Sequence, residues 1–204
     1  MTLVMLTQPN SRAAEAYRAL RANLALAALE QPLRVVLIAP ADPATDAASV
    51  AGNLAIALAN AEQRVIAVDA DLRQPSLHLR FGVDGTRGLV EWLGALESAP
   101  PLCSTSVAGL HVLPAGTHTN VVAADVVASR RMAQALNTLR ELADAVVVCA
   151  PPLSTYTDAA VLAPHADGVV LVVAAHRTRR TDAKRAQILL ERAHVRLLGA
   201  VLLE

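Results

Sequence analysis

A chain of 204 residues with no formal net charge at neutral pH has no global field to draw nucleic acid or acidic lipid, which excludes a generic polyanion binder. Apolar residues make up 54% of it but aromatics 2%, so the expected core is alanine-rich helices packed closely on a sheet, in one domain spanning 1–204. No apolar run approaches the ~20 residues of a membrane span, so direct membrane insertion is not expected.

The start, MTLVMLTQPN, lacks the basic head and long apolar stretch of a secretory signal. The spacing then predicts a helix over Ser11–Glu30, capped by Asn10 or Ser11, with Ala13, Tyr17, Leu20, Leu24 and Ala27 on its inward stripe. A strand is expected over Leu33–Ala39, and a second helix over Asp46–Ala61 with Val50, Leu54, Ala57, Leu58 and Ala61 inward. Arg64–Asp69 reads as a strand, Ser76–Phe81 as a short helix, and LVEWLGAL after Gly88 as another. Glu97–Gly109 reads as a loop, Leu110–Leu113 as a brief strand, Ser129–Ala143 as a helix and Ala145–Cys149 as a strand. A helical turn at Asp158–Ala163, a strand at Gly168–Ala174, a helix at Thr181–Ala193 and a last strand at Arg196–Leu203 complete the order. Apolar strands alternating with helices imply a doubly wound, mostly parallel sheet covered on both faces, with the α/β core over 33–204.

From Val35 to Ala59 the chain reads VVLIAPADPATDAASVAGNLAIALA. The frame is that of a strand, a phosphate loop and a helix opening a nucleotide-binding α/β domain. Such a loop needs glycines so that backbone N–H groups can wrap phosphates, a lysine for the β- and γ-phosphates, and a hydroxyl for Mg²⁺. Between Ala39 and Ala51 there is no glycine and no lysine, and Asp42 and Asp46 stand there instead.

Several words in the sequence resemble, in order and over nearly the whole chain, the kinase domain of the bacterial tyrosine kinases that serve capsule and exopolysaccharide export, a branch of the deviant P-loop ATPases. They are EAYRALRANL from Glu15, NLAIALA from Asn53, VIAVDADLRQPSLHLRFG from Val65, GLVEWL, LPAG, APP followed by TDA, and ADGVVLVVAAHRTRR. The resemblance implies a P-loop NTPase-like fold, a cytoplasmic location at the inner face of the membrane through a partner, and self-association through the N-terminal helix (1–30). It places Asp69 and Asp71 in the family's second acidic motif. Aligned on Pro43 and Asn53, the family's Pro-Gly-Glu-Gly-Lys-Ser-Thr becomes Pro43-Ala44-Thr45-Asp46-Ala47-Ala48-Ser49, and Cys149 stands where the family has its Walker B aspartate. The family's kinases carry a tyrosine-rich C-terminal tail. Here the sequence ends at Glu204 after its last expected strand, and its tyrosines are Tyr17 and Tyr156.

With these substitutions MgATP is not expected to bind and no cofactor is expected. Asp46 is placed to cap the helix and so to fill the anion seat from within the chain. Cys149 is a soft ligand and a poor substitute for a carboxylate on Mg²⁺, and reads as a small buried residue at a strand end. Asp69 and Asp71 read as caps of the following turn, bonded to Arg73. Cys103 and Cys149 have no metal spacing and read as idle thiols. No metal spacing links His78, His111, His118, His165, His176 and His194. The run Arg177, Arg179, Arg180, Lys184, Arg185 has no interleaved aromatics and reads as a solvated helix face, not a nucleic-acid site. Glu15, Arg18 and Arg21 recur every three residues, and the resemblance implies that they form an assembly stripe. The reading is a non-catalytic scaffold or regulator acting through copies of itself, an active kinase paralogue or the cytoplasmic segment of a polysaccharide co-polymerase. The first alternative is an unorthodox ATPase or tyrosine autokinase holding MgATP through backbone amides, Ser49 and Asp69/Asp71. The second is an ATPase-like positioning or partition protein.

Overall fold

In a computed structural model, described over residues 3–96, 98–117 and 122–204, the chain runs α1 (Val4–Thr7), α2 (Arg12–Glu30), β1 (Val35–Pro40), α3 (Ala47–Ala59), β2 (Val65–Asp69), α4 (Leu77–Phe81), α5 (Leu89–Gly94), β3 (Cys103–Ser104) and β4 (Leu110–Leu113). It continues through α6 (Ala123–Val127), α7 (Arg130–Leu142), β5 (Ala145–Cys149), α8 (Asp158–Leu162), a 3-10 turn (Ala163–His165), β6 (Gly168–Ala174), α9 (Arg180–Arg192) and β7 (Leu197–Leu203). The strands form one sheet in the order β3-β4-β2-β5-β1-β6-β7. All neighbours pair parallel except β3, which runs antiparallel to β4.

Period-two alternation sorts the strand side chains to two cores. Val35, Leu37, Ile66, Val68, Val146 and Val148 face one side, where α5, α7, α8 and α9 pack. Val36, Ile38, Val65, Ala67, Val147 and Cys149 face the other, beneath α1, α2, α3 and α4. The doubly wound α/β architecture expected from the sequence is the one present.

Helix α3 departs from the expected amphipathic pattern. Every residue from Ala47 to Ala59 is buried, while Ala61, expected inward, lies exposed beyond the helix end. The sheet takes one side of α3, and α1, α2 and α4 take the others. Small residues permit this. A Cβ on Gly52 would stand 2.7 Å from the Leu3 side chain, so glycine is what lets the α1 segment lie on α3. The buried Asn53 fixes it there, accepting from Met5 N at 2.9 Å and donating to Ser49 O at 2.8 Å.

In α2, Ser11 caps the start by accepting from Ala14 N at 3.2 Å, as expected. The inward stripe is shifted: Ala14 is fully buried and Ala13 exposed, with Leu24 buried and Tyr17 and Leu20 packed against the core. Helices α1 and α6 were not expected, nor was β3, which falls inside the expected 97–109 loop. His118 lies outside the described residues.

Candidate functional site

The carboxyl ends of β1, β5, β6 and β7, with the loop after β2, surround a cleft of about 630 Å³. This is where an open parallel sheet places its ligands, at the point where strand order reverses about β1. One wall is the β1–α3 loop with Pro43, Ala44, Thr45, Asp46, Ala47 and Ala48; the other is Asp71–Ser76 with Arg80 and Tyr156. The structure thus brings the two expected loops together.

Asp46 is the N-cap of α3. Its carboxylate accepts from Ser49 N at 3.0 Å and from the Ser49 hydroxyl at 2.8 Å. Arg80 of α4 donates to it at 3.0 Å from across the cleft. Burial pushes the Asp46 carboxyl up, but the Ser49 donors and the Arg80 charge outweigh it and hold it below the usual carboxylate range. An anionic side chain therefore sits at the helix N-terminus, the position at which the helix dipole and free amides favour a phosphate. Asp42 supports the loop by accepting from Ala44 N at 2.7 Å.

Asp69 ends β2 and is buried. It accepts from Asp71 N, Ser76 N and Leu77 N at 3.2, 2.9 and 2.8 Å, tying the loop and the start of α4 to the sheet. Burial pushes its carboxyl up to about 7 against those amides, with the Asp71 charge adding to the rise. Asp71 accepts from Arg73 N and Gln74 N at 3.1 and 3.0 Å. Both aspartates are turn caps, as read from the sequence. The expected bond to Arg73 is made by its backbone N–H to Asp71 and not to Asp69, while its guanidinium reaches Asp158 of α8 at 2.9 and 3.1 Å. It also stacks over the Tyr156 ring at 4.0 Å.

Cys149 lies between β1 and β2, in register with Ile38 and Asp69. It is a buried free thiol, and burial, then the neighbouring Asp69 and Asp71 charges, push its pKa well above the ordinary thiol value. It is therefore neither a thiolate ligand nor a nucleophile at neutral pH. Among the described residues, no group of three or more His, Cys, Asp or Glu side chains is arranged to hold a metal ion.

No protein-family model matches the chain. It is 30% identical over 203 residues to the tyrosine-protein kinase YwqD of Bacillus subtilis, covering 98% of this chain and 84% of that protein. The chain belongs to the bacterial tyrosine-protein kinase family. The kinase domain of the Escherichia coli tyrosine kinase ETK superposes with a TM-score of 0.91 at 28% identity, over all of this chain and 80% of that one. The cell division ATPase MinD of Pyrococcus furiosus superposes with a TM-score of 0.68 at 26% identity, over 83% of this chain and 71% of that one. The fold is thus that of the P-loop ATPase-like tyrosine-kinase domains.

On α2, the structure divides the expected assembly stripe. Glu15 and Arg18 pair with each other at 3.0 Å, and Arg18 also donates to Pro9 O at 2.6 Å. Arg21 turns toward the body and donates to Ala57 O near the end of α3 at 3.0 Å. Steps of three residues advance 300° around a helix, so Arg21 stands about 120° away from Glu15. That rotation carries it off the outer face and corrects the single-stripe reading. No helix among the described residues is long and apolar enough to cross a membrane.

Sequence reasoning missed two contributors to the cleft. Arg80 lies 34 positions from Asp46, and no local pattern joins them. Asp158 stood in plain view as the acidic residue of TDA, but its partner could be found only once α8 was placed beside the loop after β2.

Proposed function

We propose that this tyrosine-kinase-family domain is a non-catalytic scaffold or regulator of capsule or exopolysaccharide synthesis. It would act by binding copies of itself, an active kinase paralogue or the cytoplasmic segment of a membrane co-polymerase. The observation that carries the reading is the Asp46 carboxylate at the N-terminus of α3, bonded to Ser49 and paired with Arg80. A nucleotide's β-phosphate would have to meet that carboxylate in a partly desolvated cleft. Two unit charges 4 Å apart repel by about 4 kcal/mol at an effective dielectric of 20. Ala47 supplies no cation to offset this, Ala48 no hydroxyl and Cys149 no hard oxygen for Mg²⁺. The residues present do not fit MgATP. Membership of a kinase family does not by itself restore the chemistry, because a fold carries many functions.

Thermal shift and calorimetry with MgATP, MgADP and MgGTP at millimolar concentration test the reading, with an active family kinase as the positive control. The expected result is no saturable response. A ligand at about 100 times its dissociation constant would add about 2.7 kcal/mol of stability. A reproducible saturable upshift would overturn the proposal and promote the autokinase alternative.

A further inference from the structure

The two edges of the sheet are unlike. Strand β3 is two residues long, whereas β7 is seven, LLGAVLL. Among its residues there is no lysine, proline or carboxylate, the usual means by which an edge strand resists pairing. Its one irregularity is a bulge between Leu197 and Gly199. The Leu203 carbonyl accepts from Ala175 N, so the peptide groups of Leu203 and Val201 face β6. By the alternation of a parallel ladder, those of Ala200 and Leu202 face outward.

The side chains follow the same division. Leu198, Val201 and Leu203 pack into the core beneath α2 and α3. Leu197 and Leu202 lie on the α9 face, in register with Val169 and Val173, yet they are 39% and 63% exposed. The connection that leads from β6 to β7, of which α9 is part, is the most basic stretch of a chain that is neutral overall. From His176 through Arg196 there are seven Arg or Lys residues and two carboxylates.

We infer that the outer edge of β7 is a docking site for an extended acidic segment of a partner protein, which pairs onto Ala200 and Leu202 as an eighth strand. The backbone supplies hydrogen bonds, the leucines an apolar seat, and the cations of the β6–β7 connection the charge that selects the partner. A second copy of this chain is the poorer occupant, because joining two β7 edges would bring two sets of cations together. The inference goes beyond the scaffold reading and is independent of it: a protein that bound MgATP in the cleft would present the same edge.

The test uses two fluorescent octapeptides, one alternating Val and Glu and one alternating Val and Lys, with the whole chain. The Val-Glu peptide should bind, weaken as salt is raised, and slow amide exchange at Ala200 and Leu202. Ala200→Pro removes an outward N–H without touching the ladder to β6, and Leu202→Lys places a charge on the edge. Each should weaken the Val-Glu peptide by at least about tenfold, so a misfolded proline variant leaves the lysine variant to decide. Equal binding of the Val-Lys peptide, unprotected amides, or unchanged affinity in well-folded variants would overturn the inference. A concentration-dependent dimer of the wild type that either variant abolishes would overturn it in favour of a second copy. Nucleotide titration in the same samples keeps the two readings separate.

Discussion

Asp46 and Asp69 stand at the N-termini of two helices on opposite walls of one cleft, and their carboxyl groups are held in opposite states. Asp46 is half-buried, capped onto Ser49 and paired with Arg80, and its pKa is lowered. Asp69 is buried and bonded to three backbone amides, and its pKa is raised to about 7. Both accept from amides at the start of a helix. What separates them is the depth of burial, with the Ser49 hydroxyl and then the Arg80 charge favouring the ionised Asp46. The first loop uses its charge to cap α3 and to pair with Arg80, and the second uses its carboxyl as a structural tie. Mutations on each wall should therefore fail in different ways.

The largest effect belongs to the clamp that joins the second wall to α8. Arg73→Ala would leave Asp158, whose side chain is 1% exposed, without its guanidinium. We expect a loss of about 3 kcal/mol, the scale for orphaning one member of a buried pair. Asp158→Asn should cost less, about 1 kcal/mol, because Arg73 keeps access to water and to Tyr156. Urea unfolding of both variants decides. Equal losses would mean that the asymmetry of exposure does not govern the pair.

Next comes pH. An acid whose folded pKa lies above its unfolded value binds more protons when folded. Its stabilisation is complete below the unfolded pKa of 3.8 and is lost as pH rises toward the folded value of about 7. Asp46 has the opposite sign, stabilising above the ordinary carboxylate range and losing that contribution as pH falls through its lowered pKa. Asp69→Asn should therefore flatten the decline between about pH 4 and 7, a change on the order of 1–3 kcal/mol across that window. Asp46→Asn should flatten only the acid limb. Profiles that stay parallel to wild type throughout would break the contrast between the two walls.

The cap itself is a smaller quantity. Asp46→Ala should cost about 1 kcal/mol, the usual loss when an N-cap side chain is removed. On the proposed reading, adding Ala47→Lys and Ala48→Thr to the wild type should not create MgATP binding, since Asp46 would still cap α3 and Cys149 would offer Mg²⁺ no carboxylate. Calorimetric binding by that two-site variant would show that the loop backbone is already suited to phosphate.

Much of this was legible in the sequence because parallel strands buried on both faces are apolar throughout. VVLIAP, AVVVC and GVVLVVA could be little else. The cap role of Asp46 followed from its place before α3. What escaped notice had weak local signals. Strand β3 owes its existence to pairing with β4 rather than to its two residues, and α1 is four residues held by Asn53 and Gly52 of a distant helix. The full burial of α3 was hidden because alanine suits both a buried and an exposed face. The Arg80–Asp46 and Arg73–Asp158 pairs connect segments 34 and 85 positions apart, which periodicity cannot join.

The smallest stability effect, and the sharpest test of assembly, lies on α2, where the distinction between charge spent inside the chain and charge left for a partner recurs. Glu15 and Arg18 form a surface pair at i and i+3, with Glu15 72% exposed. Such a pair contributes about 0.2–0.5 kcal/mol, so Glu15→Ala should scarcely move the unfolding midpoint. Arg21→Ala should cost more, about 1 kcal/mol, because its guanidinium satisfies the Ala57 carbonyl near the end of α3. If α2 carries self-association or docks a co-polymerase segment, the order reverses in sedimentation. Glu15→Ala and Arg18→Ala should weaken assembly, by less as salt rises because screening already weakens the wild-type contacts, while Arg21→Ala should act only as far as it loosens the fold. A wild type that stays monomeric at every concentration, with and without a family kinase or co-polymerase segment, would remove the scaffold reading. An Arg21 variant that folds normally yet fails to assemble would return that residue to the interface from which its contact with Ala57 now excludes it.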